Sequence, residues 1–383
     1  MRFDDGFSAS TCRLFEFDEK TLQAVLANDG GVSIKGAQPD EAVLCTKDAT
    51  FVIRLAESSN TFLLASSDAA AGGKPGEEPV HVHASVSAHF ETIRIAARPG
   101  PLLKLLRAFP YSGGGARDSD VSGGATADPP IDATGVQLRR LTLAELEGMV
   151  QCSSGELRAA LQAAHALDVD GHWCVLDAQL ERDLVECITA LCIENEWPLD
   201  AVPTGRCVEI CMGQLEGVDE LSVRHCLRTH STLAAADWET WCGATSVETI
   251  ALSADTLTTA KAQTLLASCD AWPQDKFFEE WAELLPPGCV PALSHLAGLA
   301  VIMPSGGGEA EQPTVQALDV GSLSAVPKER FAALFRVKKV WTMAELEPYV
   351  NDILDPGCAP TKLVLQYARS MGASDGEAKY VSR

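Results

Sequence analysis

The sequence predicts an α+β chain of several domains: a small antiparallel β-layer first, then a polar tether, then helices interrupted by hairpins. Three observations predict it. Apolar residues alternate with period two in several runs between residues 51 and 95. A stretch of Gly, Ser, Asp and Pro follows at 112–130. Beyond it, helix-capping signals and Asp-Gly turns recur in a fixed order.

In the first run Phe51, Ile53 and Leu55 face one way and Arg54 the other. Val80, Val82 and Val86 oppose His81 and His83, and Ile93 and Ile95 flank Arg94. Such alternation specifies half-buried antiparallel strands. Short helices are expected at Glu19–Leu26 and Leu102–Ala108, and an Ala/Gly/Glu-rich loop at Asp68–Pro79. So few strands give a small sheet with exposed edges, and stable proteins cover or pair their edges. The expectation is a β-barrel that only another chain completes. Val43, Leu44, Phe51, Ile53 and Leu63 are its candidate interface residues.

The run from Ser112 to Pro130 has almost no large apolar residue and reads as a flexible tether. Thr142 with Glu145, and Ser153 with Glu156, then form capping boxes, in which the hydroxyl and the carboxylate satisfy each other's orphan amides. Asp170-Gly171 supplies hairpin-turn chemistry ahead of a strand at His172–Leu176, and a long helix covers Leu180–Ile193. The C-terminus repeats the order. Thr342 and Glu345 make a capping box, a helix carries Leu363, Leu365 and Tyr367, and Asp375-Gly376 turns into Lys379–Val381.

Helix, turn, helix, Asp-Gly and aromatic strand is the order of a winged helix. Between the two ends, helix pairs are expected at Cys207–Gly213 with Val218–Arg228, and at Phe277–Leu285 with Leu293–Leu299. The second pair precedes a hairpin of Ala300–Met303 and Thr314–Leu318. The division is 1–112 for the β-domain, 113–133 for the linker and 134–200 for a first winged helix. A second winged-helix region, of one unit or two, takes 201–322, and a third takes 323–383.

The formal net charge is −23, from 53 acidic and 30 basic residues. Such a chain repels bulk polyanion, so any DNA contact needs a local basic face. The N-terminus lacks the apolar core of a secretory signal, and Val290–Met303 is too short and too broken to span a bilayer. Thirteen scattered cysteines, mostly beside aliphatic residues, read as reduced and buried in a nuclear or cytosolic protein.

No constellation for catalysis stands out, and no cofactor or metal is expected. The glycine runs 113–115 and 306–308 lack the Gly-Lys-Ser/Thr of a phosphate-binding loop. His81, His83 and His89 read as the solvated side of strands, without an evident carboxylate or cysteine cluster nearby. Cys207 and Cys211 share a helix face with no second pair at zinc spacing, and burial is the preferred reading. Trp173, Trp238, Trp241, Trp281 and Trp341 read as core anchors.

The basic residues Arg336, Lys338, Lys339, Lys362, Arg369 and Lys379 are the DNA-binding candidates, in a region that also holds Lys328, Arg330 and Arg383. Such a face takes phosphates without reading bases. From the residues alone, DNA contact and a solvated surface offset by Glu345, Glu347 and Asp352 both remain open. Arg139 and Arg140 are weaker candidates.

The segment Val32–Leu64 carries Ile34-Lys35-Gly36, then Asp40 to Thr46, Thr50-Phe51, Arg54, Glu57 and Ser59-Asn60-Thr61. Pro110-Tyr111 with Gly113, Gly171 with Trp173, Arg330-Phe331 with Leu334-Phe335, Trp341-Thr342, Pro348-Tyr349-Val350 and Tyr380 follow in order. Together they resemble the sister chromatid cohesion subunit (Dcc) family of the alternative replication factor C clamp loader. The match is loose over Pro203–Ala267.

The resemblance implies a non-catalytic adaptor in DNA replication and sister chromatid cohesion. Its N-terminal region would pair with a small partner subunit and with the C-terminal tail of the large clamp-loader subunit, in intertwined β-barrels. Its winged helices would contact DNA weakly and without sequence preference. The assembly would dock on DNA polymerase epsilon and reach the sliding clamp indirectly, in the nucleus. The rival expectation is a free-standing winged-helix DNA-binding regulator, which the acidic charge disfavours.

Overall fold

A computed structural model describes residues 2–3, 12–27, 31–36, 41–67, 80–97, 100–114, 139–243, 247–304, 312–355, 357–372 and 378–383. The chain divides into two compact units. The first is Met1–Ala97 with Glu147–Leu157, and the second is Arg98–Leu146 with Arg158–Arg383. The loop expected at Asp68–Pro79, most of the tether and the Asp375-Gly376 turn lie outside the described residues.

The first unit is built on a six-stranded sheet. Its strands are β1 (Arg2–Phe3), β2 (Phe15–Glu16), β3 (Ser33–Lys35), β4 (Val43–Cys45), β5 (Thr50–Ser67) and β6 (Val80–Ile95). The order is β1-β6-β5-β4-β3, with β2 also on β6. The helix Glu19–Ala27 forms where expected. The runs read separately at Val80–Val86 and Ile93–Ile95 are one strand of 16 residues. The residues between them allow it: Ala88 and Phe90 extend the first run, the apolar side changes phase before Ile93, and no Gly or Pro interrupts the strand. β5 bulges away from β6 between Glu57 and Phe62.

One face of this sheet carries a small core of Val43, Cys45, Val52 and Ile95. They share a face because Val43 pairs with Val52, while Cys45 and Ile95 both pair with Thr50. The segment Glu147–Leu157 is fastened to this unit by polar contacts. Lys35 Nζ donates to the Cys152 carbonyl at 2.7 Å, and Gln151 Nε2 donates to the Glu41 carbonyl at 2.9 Å. The Gly155 amide donates to the Lys47 carbonyl at 2.9 Å. A β-carbon on Gly155 would sit 2.8 Å from Asp48 Oδ1, so the close approach requires glycine. Thr50 is fully buried; its hydroxyl accepts from the Ser153 amide at 3.0 Å and donates to Glu156 at 2.5 Å. Lys35 and Thr50, part of the quoted signature, thus hold a segment about a hundred residues away.

From Leu141 onward one arrangement recurs along the chain: strand, helix, helix, two-stranded hairpin, with the last strand central in the sheet. It occurs with strands Leu141–Thr142, Leu167–Val169 and His172–Cys174, around helices Leu143–Met149 and Ser154–Ala163. It recurs with Ala271–Pro273, Ala300–Met303 and Thr314–Ala317, and again with Val340–Thr342, Ala368–Met371 and Lys379–Ser382. A reduced version pairs Val202–Pro203 with Thr249–Ile250 around helices Thr204–Gln214 and Glu220–Thr229, and there Ser231 bridges Leu252.

Local chemistry explains these turns and caps. Asp170 and Gly171 take φ of 53° and 80°, the left-handed pair that a two-residue hairpin needs. The capping boxes at Thr142/Glu145, Ser153/Glu156 and Thr342/Glu345 all form. One expected helix shrinks: Leu293–Leu299 is only a 3-10 turn, Leu293–Leu296, bounded by Pro291 and by Gly298 at φ 76°.

Among the described residues the second unit carries three apolar clusters. One gathers Leu184, Ile188, Leu191, Cys207, Cys211, Val223 and Cys226. The others centre on Phe277 with Trp281, and on Phe331, Trp341 and Tyr349. Tyr111 anchors the chain ahead of the tether. Its amide donates to the Val175 carbonyl and its carbonyl accepts from the Asp177 amide, each at 2.8 Å, while its hydroxyl bonds Asp219. Arg140, beyond the tether, lies over the Tyr111 ring at 5.5 Å and donates to the Pro110 carbonyl at 3.2 Å. Gly113, at φ 93°, has no room for a β-carbon against the Gly217 carbonyl oxygen.

Candidate partner interface and nucleic-acid face

β5 is paired with β6 along its length but with β4 only over Thr50–Val52. Its other edge, from Ile53 onward, has no strand neighbour among the described residues. Large apolar side chains stand exposed along it: Leu55 at 58%, Phe62 at 42% and Leu63 at 45%. Ile34, on the short edge strand β3, is 59% exposed. Ile34 pairs with Leu44, and Leu44 with Phe51, so all three share a face with Leu55. A bare edge beside exposed apolar residues is the chemistry of strand addition: backbone groups give affinity, and alternate side chains enter the added surface.

The five candidate interface residues do not fall together. Val43, Leu44 and Phe51 are buried within the chain itself, Ile53 is half-buried, and Leu63 is exposed. Sequence reasoning missed Ile34, Leu55 and Phe62. Leu55 carried a signal, since it continues the Phe51–Ile53 alternation past the reach of β4.

The basic candidates also separate. Arg336, Lys339, Lys362 and Arg369 are exposed. Lys379 is half-buried; pairing places Arg369 opposite Val381 and Lys379 opposite Met371, on the face away from buried Ala368 and Tyr380. Lys338 is engaged: its ammonium donates to the Ile302 carbonyl at 3.1 Å and to Glu345 at 2.5 Å, and lies over the Trp341 ring. Arg330 is 2% exposed; it donates to the Ser324 and Tyr349 carbonyls and pairs with Asp352. Arg139 binds Glu145, and that bond, with the capping contacts, draws the Glu145 carboxyl down to about 2.

Several of the cysteines and histidines are spent on structure. Burial pushes the Cys192 thiol up to about 11 and Cys152 up to about 12, far from a reactive thiolate. Cys207 and Cys211 are fully buried, with Cys211 Sγ 3.4 Å from Cys187 Sγ. Burial pulls His225 down to about 4, and its Nε2 bonds the His165 carbonyl at 2.9 Å. Trp173, Trp241, Trp281 and Trp341 are buried. His83 bonds Ser66 Oγ at 2.6 Å. His89, against expectation, has carboxylates beside it: Glu16, brought by β2, and Glu91. Among the described residues, no helix is long and apolar enough to cross a membrane.

The fold and this surface define an α+β protein with an open-edged sheet and a series of strand–helix–helix–hairpin units. Residues 12–350 match the model of the family described as sister chromatid cohesion protein Dcc1, and the chain belongs to that family. A curated relative, sister chromatid cohesion protein DCC1 of Danio rerio, is 28% identical over 100% of this chain and 92% of its own length. The Homo sapiens protein of that name is 26% identical over 99% and 90%, respectively. The probable sister chromatid cohesion protein DCC1 of Dictyostelium discoideum is 24% identical over 100% and 97%. The family is named for cohesion of sister chromatids, not for a catalysed reaction.

Proposed function

We propose that this chain is a non-catalytic adaptor subunit of an alternative replication factor C clamp loader, working in the nucleus during DNA replication and sister chromatid cohesion. The observation that carries the reading is the unpaired β5 edge with Leu55, Phe62 and Leu63 exposed along it. Strands from a small partner subunit and from the tail of the large clamp-loader subunit add there and complete a barrel. The repeated units act as winged helices, and the reduced one at Val202–Leu252 supports two units within the 201–322 region. Arg336, Lys339, Lys362 and Arg369, with Lys379, meet phosphates without reading bases. Through its other surfaces the chain joins the loader to DNA polymerase epsilon, and so to the sliding clamp.

The net charge of −23 weighs against a free-standing DNA-binding regulator. The test is purification of the tagged full chain from replicating cells, with identification of the chains that stay bound through a high-salt wash. Strand addition is mainly apolar and hydrogen-bonded, so the large and small loader subunits remain while DNA is lost. Recovery of the chain alone, or with DNA only, counts against the adaptor reading.

A further inference from the structure

We propose that Glu16, His89 and Glu91 form a binding site for a divalent transition-metal ion of the zinc class, which ties β2 onto β6. Register places Glu16 directly beside Glu91. Two carboxylates in that position repel unless a positive charge lies between them. His89, two residues before Glu91, falls on the same face. Its Nε2 stands 3.2 Å from Glu16 Oε2 and 3.9 Å from Glu91 Oε1, and the three ligand atoms lie within 4.8 Å of one another. A tetrahedral ion with bonds near 2.0–2.1 Å separates its ligands by about 3.3 Å, so only a small closure of the Glu91 side is needed. One imidazole with two carboxylates is a nitrogen–oxygen set suited to zinc or cobalt.

The site is pre-positioned from the strands upward. Phe15 stacks on Phe90 at 5.0 Å, and the Phe90 amide donates to the Leu14 carbonyl at 2.8 Å. Thr92 Oγ1 donates to the Glu16 carbonyl at 2.8 Å. The Phe62 ring meets the His89 imidazole in an edge-on contact at 6.4 Å. The His89 side chain is 21% exposed, and the carboxylates are 49% and 70% exposed, which leaves room for water as a further ligand. β2 has only two residues, so its own ladder is short, and an ion adds the fastening that the ladder lacks. The inference does not depend on the adaptor reading.

The rival is a protonated imidazole bridging the two carboxylates with no metal. The test is titration of the reduced full chain with cobalt(II), followed by visible and near-ultraviolet absorbance. The expected result is a saturable d–d spectrum at one equivalent, without thiolate-to-cobalt charge transfer. His89→Ala removes it, and Glu16→Gln weakens it by at least about tenfold, as loss of an outer-shell partner alone does. Glu16 is exposed, so its variant keeps the test decisive if His89→Ala fails to fold. A spectrum unchanged in Glu16→Gln, one dominated by thiolate charge transfer, or no saturable spectrum overturns the site.

Discussion

Replacing Leu55 and Phe62 together by Asp leaves the chain folded but strongly weakens its capture of the proposed barrel partners. Both side chains are 58% and 42% exposed and lie outside the small core of Val43, Cys45, Val52 and Ile95, so each substitution costs the chain's own stability about 1 kcal/mol. On a strand-addition surface the same positions become buried. Each Asp then carries an uncompensated charge into an apolar contact. Two anchors lost at about 2 kcal/mol or more apiece weaken association by about 700-fold or more. The measurement is co-purification of wild-type and doubly substituted chains with the loader subunits, with thermal melting to confirm folding. Undiminished capture by the substituted chain sinks this placement of the interface.

The second large effect is on stability. Trp341→Ala destabilises the C-terminal strand–helix–helix–hairpin unit by about 4 kcal/mol, in the range of large aromatic truncations in cores. Trp341 has no exposed surface, its ring meets Tyr349 edge-on at 5.9 Å, and its indole N–H donates to the Lys338 carbonyl at 2.7 Å. Removing it opens a cavity beside Leu346, Val350 and Val364 and strips the half-buried Lys338 carbonyl of a donor. It also releases Lys338, whose ammonium lies over the indole. Denaturant unfolding of the full chain shows it as an early transition absent from the wild type. A loss below about 1 kcal/mol, the scale of a surface change, contradicts this packing.

Local chemistry makes much of the fold legible in the residues alone. Capping boxes need only residues three apart, and Asp170-Gly171 needs only two neighbours, so these features formed where the sequence placed them. Alternation likewise located β5 and β6, although their lengths were underestimated. What stayed hidden involves partners far apart in the chain. Nothing around Thr50 announces Ser153 and Glu156, and nothing around His89 announces Glu16. Leu44 and Phe51 illustrate the same limit at the interface. Their alternation said that one strand face is apolar, but not whether this chain or another covers it. For the basic face, counting charges treated Lys338 and Arg330 like their neighbours. Only the fold shows that carbonyls and carboxylates already occupy them, while Lys339 and Arg369 face outward.

The most direct measurement is amide hydrogen exchange along Ile53–Ser67, in the chain alone and in its complex with the loader subunits. The account predicts that amides pointing toward β6 are protected in both states. Those pointing the other way exchange freely in the chain alone and become protected when a partner strand is added. Unchanged fast exchange of the outward amides in the complex, or full protection of them in the isolated chain, contradicts it.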